Sequence, residues 1–149
     1  MSIAVDTNIL LYASDIESPF HASALAFLEE RFTGRELLYL PWPVIMGYLR
    51  ISTHGSIFKS PMTPETAHSN IAELLSMPHC RPLGEGPNFW PCYEKISRTV
   101  VIRGNLVPDA HIAAILLEHG VRDIATNDSD FKKFESLRVH NPLTRPSHR

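Results

Sequence analysis

The 149-residue sequence predicts an α/β fold with a central parallel sheet. Two observations predict it. Short apolar runs alternate with helix-period segments from one end of the chain to the other, and strands alternating with helices build parallel sheets. The first run, Ser2-Ile-Ala-Val-Asp6, is a short apolar run ending in a carboxylate, which suits a buried strand.

In order, Ser2–Asp6 reads as the first strand, and a short helix over Asn8–Ala13 follows. Ser18-Pro19 predicts the start of a second helix, with Ser18 as N-cap and Pro19 at the first helical position. Phe20, Ala24, Phe27 and Leu28 share its inner face, and Gly34 follows its end. Glu36–Leu40 is the second strand. Trp42 to about Ser52 is a third helix, apolar on most sides and therefore expected to be well buried. A loop with Gly55, Ser56, Ser60 and Pro61 leads to Thr63-Pro64-Glu65, a hydroxyl cap, a proline and an acid that together open a fourth helix. Cys80–Leu83 is a short third strand. Phe89, Tyr93, Ile96 and Val100 mark an amphipathic fifth helix. Pro108-Asp109 opens a sixth, Ala110–His119, which Gly120 ends. Asp123–Thr126 and Leu137–His140 are strands, with a helical turn over Phe131–Phe134 between them. The tail from Asn141 to Arg149, with prolines, arginines and histidines, is expected to be loose. No internal repeat or linker divides residues 1–149, so one domain is expected.

Composition narrows the function classes. With 44% hydrophobic and 20% charged residues the chain is an ordinary globular one, neither disordered nor collagen-like. Two cysteines, Cys80 and Cys92, exclude a disulfide scaffold, and they show no zinc-ligand spacing. No Lys or Arg precedes Arg31 and Asp6 interrupts the first apolar stretch, so neither a signal peptide nor a membrane span is expected, and the cytoplasm is the expected location. The net charge of −2 is not the footprint of a basic nucleic-acid-binding domain, although 10 of the 14 Lys and Arg lie from Arg81 onward.

The chemistry resides in the aspartates. Asp6 ends the first strand, Asp128 lies just past the strand that ends at Thr126, and Asp109 starts the helix leading into that strand. Ligands of open parallel sheets bind outside the carboxyl ends of the strands, so these three acids can share one cleft. Two unit charges 4 Å apart repel by about 4 kcal/mol at an effective dielectric near 20. Such a cluster makes sense around a divalent cation, and oxygen ligands without His or Cys select Mg²⁺ or Mn²⁺. Taken singly, each acid has an ordinary alternative role as a helix cap or an Asx-turn.

The segments Val5-Asp6-Thr7-Asn8, Pro108-Asp109-Ala110-His111-Ile112-Ala113-Ala114 and Thr126-Asn127-Asp128-Ser129-Asp130-Phe131 together resemble the PIN-domain ribonucleases, and more narrowly the VapC-type toxins of toxin–antitoxin modules. The resemblance spans essentially the whole chain. It implies a Rossmann-like three-layer α/β/α sandwich and a Mg²⁺- or Mn²⁺-dependent endoribonuclease that cleaves structured RNA such as tRNA or rRNA. It also implies homodimerisation and a cognate VapB-type antitoxin. The family's catalytic, metal-binding acids fall on Asp6, Asp109 and Asp128. Asp130 matches a commonly acidic neighbour, and Thr7, Asn8 and Thr126 match polar residues that orient the acids. The family usually carries a glutamate in its third helix, and here Gly47 stands in that place.

Gly47 raises the alternative of a catalytically weak or inactive PIN-like module that binds RNA or protein. A phosphatase is disfavoured, because Asp6 is followed by Thr7-Asn8 rather than by a second nucleophile-motif aspartate. His111 and His119 are eight apart, a spacing unsuited to one helical ligand face, and are expected to be surface or capping residues. Trp42, Tyr48, Trp90 and Tyr93 can stack on bases, but read more simply as core or interface side chains. Arg50, one turn after Gly47, can contact phosphate, pair with an aspartate or form a surface salt bridge.

Overall fold

Five short strands, β1 (Ile3–Val5), β2 (Leu38–Pro41), β3 (Cys80–Leu83), β4 (Asp123–Ala125) and β5 (Arg138–His140), pair in parallel in the order β3-β2-β1-β4-β5. Ala4 at the centre is in register with Tyr39 on one side and Ile124 on the other. Six helices connect them: α1 (Thr7–Ser14), α2 (His21–Thr33), α3 (Trp42–Ser52), α4 (Pro64–Ser76), α5 (Phe89–Ser97) and α6 (Leu106–Glu118). A 3₁₀ turn, Ser129–Lys133, links β4 to β5. The structure, a computed structural model, describes residues 1–55 and 59–146. Ser56 of the expected loop and residues 147–149 of the expected tail lie outside the described residues.

Handedness decides the layering. The chain steps from β1 to β2 to β3 in one direction, then reverses to reach β4. Right-handed crossovers therefore place α1–α4 on one face of the sheet and α5–α6 on the other. The packing agrees: α1 lies against α2 and α3, whereas α5 lies against α6. The result is the expected α/β/α sandwich. After β1 the chain departs toward one edge of the sheet, and after β4 toward the other. The crevice between those two carboxyl ends is the topological switch point, where parallel sheets leave room for a ligand.

The core follows the sequence pattern. All of β1 and β4 is buried, as a central parallel strand requires. In α6 the run Ile112–Leu116 and Ala110 are buried together, and the three alanines Ala110, Ala113 and Ala114 let the helix approach its neighbours closely. Among the described residues, no helix is long and apolar enough to cross a membrane.

Several local expectations are corrected. Ser18 is not the N-cap of α2: its Oγ accepts from the Phe20 amide (3.1 Å) in a tight turn, and the helix begins at His21 without a side-chain cap. α6 starts two residues before Pro108, after Gly104 in the left-handed region (φ +57°). Pro108 still fits, because the first-turn amides have no intrahelical acceptor to lose. α5 stops at Ser97, where the amides of Thr99 and Val100 both turn back onto the Ile96 carbonyl. α3 is not buried all round, for Trp42 and Met46 are exposed while Val44, Ile45 and Tyr48 enter the core. The tail is anchored as far as Arg145. Leu143 is buried, the Thr144 amide donates to Ser23 Oγ (3.0 Å), and the Arg145 guanidinium lies 5.0 Å from the centre of the Phe20 ring.

Burial grades the cost of core truncation. Ile115 is completely buried in α6, whereas Val139 lies half-buried on the edge strand β5. Urea unfolding of Ile115→Ala is expected to show a loss of about 2–5 kcal/mol, against about 1 kcal/mol for Val139→Ala.

Candidate metal centre

The site is built on a hydrogen-bond network at the switch point. The Asp6 amide extends the β1–β4 pairing by donating to the Ala125 carbonyl (3.0 Å). The Asp6 side chain then caps α1: Oδ1 accepts from the Thr7 amide (2.8 Å). Its other oxygen, Oδ2, accepts from the Thr126 hydroxyl (2.7 Å) and from Asn8 Nδ2 (3.2 Å). Asn8 also donates to Thr126 Oγ1 (3.1 Å), and its Oδ1 accepts from the Asn127 amide (3.1 Å). The Thr126 hydroxyl accepts in addition from the Asp128 amide (3.0 Å). Asp128 Oδ1 in turn accepts from the Asp130 amide (2.9 Å), an Asx-turn that opens the 3₁₀ turn.

Asp6 and Asp128 each spend Oδ1 on a local backbone amide, so their capping roles hold, whereas Asp109 lies in the first turn of α6 without capping it. The cleft, about 560 Å³, is lined by Asp6, Asp109 and Asp128 together with Thr7, Asn8, Gly47 and Arg50. Ligand oxygens of Asp109, Asp128 and Asp130 lie within 4.8 Å of one another. Asp130, expected only as a neighbour, thus completes the tightest trio. Asp6 stands beside the trio rather than inside it, held by its network.

The carboxyls feel one another's charge. Burial pushes the Asp109 carboxyl up to about 7, and the charges of Asp128, Asp6 and Asp130 push the same way, with only Lys133 opposing. Burial also raises Asp6, against the hydrogen bonds from Thr126 and the Thr7 amide; the charge of Asp128 adds to the rise. The donors are hard oxygens with no thiolate or imidazole among them, so the trio could hold a hard divalent cation.

The histidines take no part in that trio. His111 pairs with Glu85, and His119 Nε2 lies 2.9 Å from the Gly84 carbonyl oxygen. Tyr48 is a core residue whose hydroxyl lies 2.8 Å from Ser14 Oγ. Trp90 is exposed and stacks on Tyr93, with ring centres 5.5 Å apart. A Cβ built at Gly47 would meet Thr7 Oγ1 at 3.0 Å, so the α3 wall lies directly against the first helical residue after Asp6. Sequence reasoning missed Asp123, which is buried at the start of β4. Arg138 holds it through two bonds (2.9 and 3.0 Å) and His140 Nε2 lies 2.8 Å away. A carboxylate within a buried strand was itself the signal that a partner lay on the neighbouring strand.

The raised Asp109 pKa carries a stability consequence. A group whose folded pKa lies above its unfolded value contributes stability that is full below the unfolded pKa, near 4, and is lost as pH rises through the folded one, here about 7. In EDTA the wild-type protein is therefore expected to lose stability between about pH 4 and 7. The full shift converts to about 4 kcal/mol; Asp109 is only half-buried, and solvent screening reduces this to roughly 1–2 kcal/mol. Thermal melts in EDTA should show Asp109→Asn gaining on wild type across that window, and parallel pH curves would refute the cluster.

Comparison with known proteins follows the geometry. Residues 3–137 match the PIN domain family. The chain is 43% identical over 144 residues to Ribonuclease VapC48 of Mycobacterium tuberculosis, covering 97% of this chain and 99% of that one. The fold is like that of VapBC2 from Rickettsia felis, solved bound to a DNA fragment from their promoter (TM-score 0.66, 19% identity, 97% of this chain and 100% of that one). It is equally like that of Mycobacterium tuberculosis VapC20, described as a sarcin-ricin loop cleaving toxin (TM-score 0.65, 18% identity, 92% and 99%). Matched to the family along most of its length, and to a curated relative almost end to end, the chain belongs to the PIN-domain family, among the ribonucleases named VapC.

Proposed function

We infer that the chain is the toxin of a toxin–antitoxin pair, a Mg²⁺- or Mn²⁺-dependent endoribonuclease that cuts structured RNA such as tRNA or rRNA. The observation that carries this reading is the convergence of Asp109, Asp128 and Asp130 in the cleft where Asp6 is anchored. A divalent cation bound there supplies charge neutralisation, polarises a phosphodiester and helps ionise the attacking water. Asp109, Asp128 and Asp130 offer the oxygens for it, and Asp128 is aimed by the Asx-turn. Asp6 is held by Thr126 and Asn8 so that its position does not relax when the neighbouring charges change. Trp42 and Met46 leave an exposed apolar strip on α3, which suits burial in a homodimer. A VapB-type antitoxin is the expected inhibitor, and the fold shared with a VapBC complex supports that partner.

Gly47 favours a second reading, a PIN-like binding module without useful activity. Incubation of purified protein with total RNA separates the two. Mg²⁺-dependent fragments that EDTA abolishes are expected, and binding without cleavage at any Mg²⁺ or Mn²⁺ concentration would favour the binding module.

Asp109→Asn and Asp128→Asn are expected to reduce the cleavage rate at least about a hundredfold, or 2.7 kcal/mol of barrier, with melting temperatures in EDTA no lower than that of the wild type. Asp6→Asn is a poorer probe than it looks from sequence. An amide there turns an NH₂ group toward either the Thr7 amide or the Thr126 and Asn8 donors, so the β1–β4 fastening suffers along with the charge.

Gly47→Glu restores the family's usual acid but must displace Thr7 Oγ1 by a few tenths of an ångström. Gly47→Ala controls for that contact. The Mg²⁺ concentration for half-maximal cleavage is expected to fall about tenfold in Gly47→Glu and to stay unchanged in Gly47→Ala. An unchanged midpoint in both would show that the acids already present complete the site.

A further inference from the structure

Among the described residues, Arg50 is the one arginine or lysine lining the acidic cleft. It shares that cleft with Asp6, Asp109 and Asp128, yet among the described residues its side chain makes no hydrogen bond, ion pair or ring contact. The other titratable cation in the cleft, His111, is engaged by Glu85 and lies edge-on to Phe89. Lys133, on the far side of the acids, pairs with Asp130 at 3.2 Å. A guanidinium's planar fork matches a carboxylate well, yet Arg50 pairs with none of the three that line the cleft with it. Here the α3 backbone holds it on the opposite wall, and the acids turn instead to Thr126, Asn8 and backbone amides.

Residues three or four apart on a helix are neighbours on one face, and α3 carries no acid with which Arg50 could pair. With glycine at position 47, α3 presents to the cleft a wall with a cation and no anion, facing a wall of carboxylates. The ligand that suits the Arg50 wall is an anion, held on the side of the cleft away from the carboxylates.

We propose that Arg50 is the phosphate-binding residue of the cleft, holding an RNA phosphodiester oxygen across from the carboxylate wall. This rests on the ribonuclease reading above. Arg50 binds the backbone rather than a base, so its contribution is independent of RNA sequence.

The test uses fluorescence anisotropy of a labelled single-stranded RNA of mixed sequence in EDTA at pH 7, titrated at several salt concentrations. One phosphate contact on a single strand contributes about 0.7 to the slope of log affinity against log salt. Arg50→Ala is expected to lower the slope by that amount and to weaken binding about fivefold at 0.1 M salt. Arg50→Lys should keep the slope, because the charge is retained. Arg35→Ala removes an exposed cation from the loop between α2 and β2, at the opposite end of the strands, and should match wild type. In Mg²⁺, Arg50→Ala should raise KM about fivefold with kcat nearly unchanged, as loss of uniform binding does. An Arg50→Ala slope equal to wild type, or an equal loss in Arg35→Ala, overturns the proposal even if cleavage is intact. Absence of Mg²⁺-dependent cleavage by wild type would instead sink the ribonuclease reading, while the EDTA slopes still decide whether Arg50 meets phosphate.

Discussion

One hydroxyl ties the molecule together at its functional edge. Thr126 Oγ1 has a single proton and two lone pairs, and all are used: the proton goes to Asp6, and the lone pairs accept from Asn8 and from the Asp128 amide. Through that atom the end of β1, the first turn of α1 and the segment after β4 become one unit, although they come from opposite ends of the chain. The same bonds fix the orientation of the Asn8 amide, whose oxygen must face the Asn127 amide and whose nitrogen must face Asp6. A parallel sheet alone would place the strand ends side by side. The hydroxyl decides how their side chains are aimed.

The carboxylates of this protein sort into two electrostatic kinds. Asp123 is buried but satisfied by Arg138 and His140, and those hydrogen bonds hold its carboxyl below the usual range. Glu118 is likewise fully occupied, accepting from the amides of Gly86 and Asn88 and so pinning the loop before α5 onto α6. In the cleft the balance is reversed. Asp6 and Asp109 are raised, because burial and mutual repulsion outweigh the donors they have. The ion-paired Asp123 fastens the fold, whereas Asp6 and Asp109 carry a repulsion that a bound cation would relieve.

The α3 wall shows how one missing side chain redistributes roles. Gly47 allows Thr7 to pack within 3.0 Å of where a Cβ would sit, and Thr7 Oγ1 donates to the Val44 carbonyl (3.2 Å). The helix is thereby drawn close to the capping residues of α1. It contributes no carboxylate, and the fourth acid near the cluster comes instead from Asp130 in the 3₁₀ turn, two residues beyond Asp128.

The order and type of the elements were legible in the sequence, because burial on both faces demands unbroken apolar strands and burial on one face demands helical periodicity. Ile3–Val5 carries the first pattern and Ala24 and Leu28 of α2 the second, whereas Asp123 interrupts the apolar run of β4. The placing of Asp6, Asp109 and Asp128 in one cleft was legible for a different reason: each alone can serve as a cap or an Asx-turn, but strand ends and a helix entry in an alternating fold meet at one edge of the sheet. Helix boundaries such as His21 and Leu106 were not, since they depend on turns whose hydrogen bonds compete with the caps. Nor was the anchoring of Leu143 and Thr144, which depends on the surface of α2. Sequence by itself determined which residues are apolar, which are acidic and in what order they follow. Only the tertiary structure decided that Asp130 joins the trio, that Asp6 stands beside it, and that Arg50 has no partner among the described residues. Distances among side chains from distant segments are set by packing and hydrogen bonding across the sheet, and no local pattern encodes them.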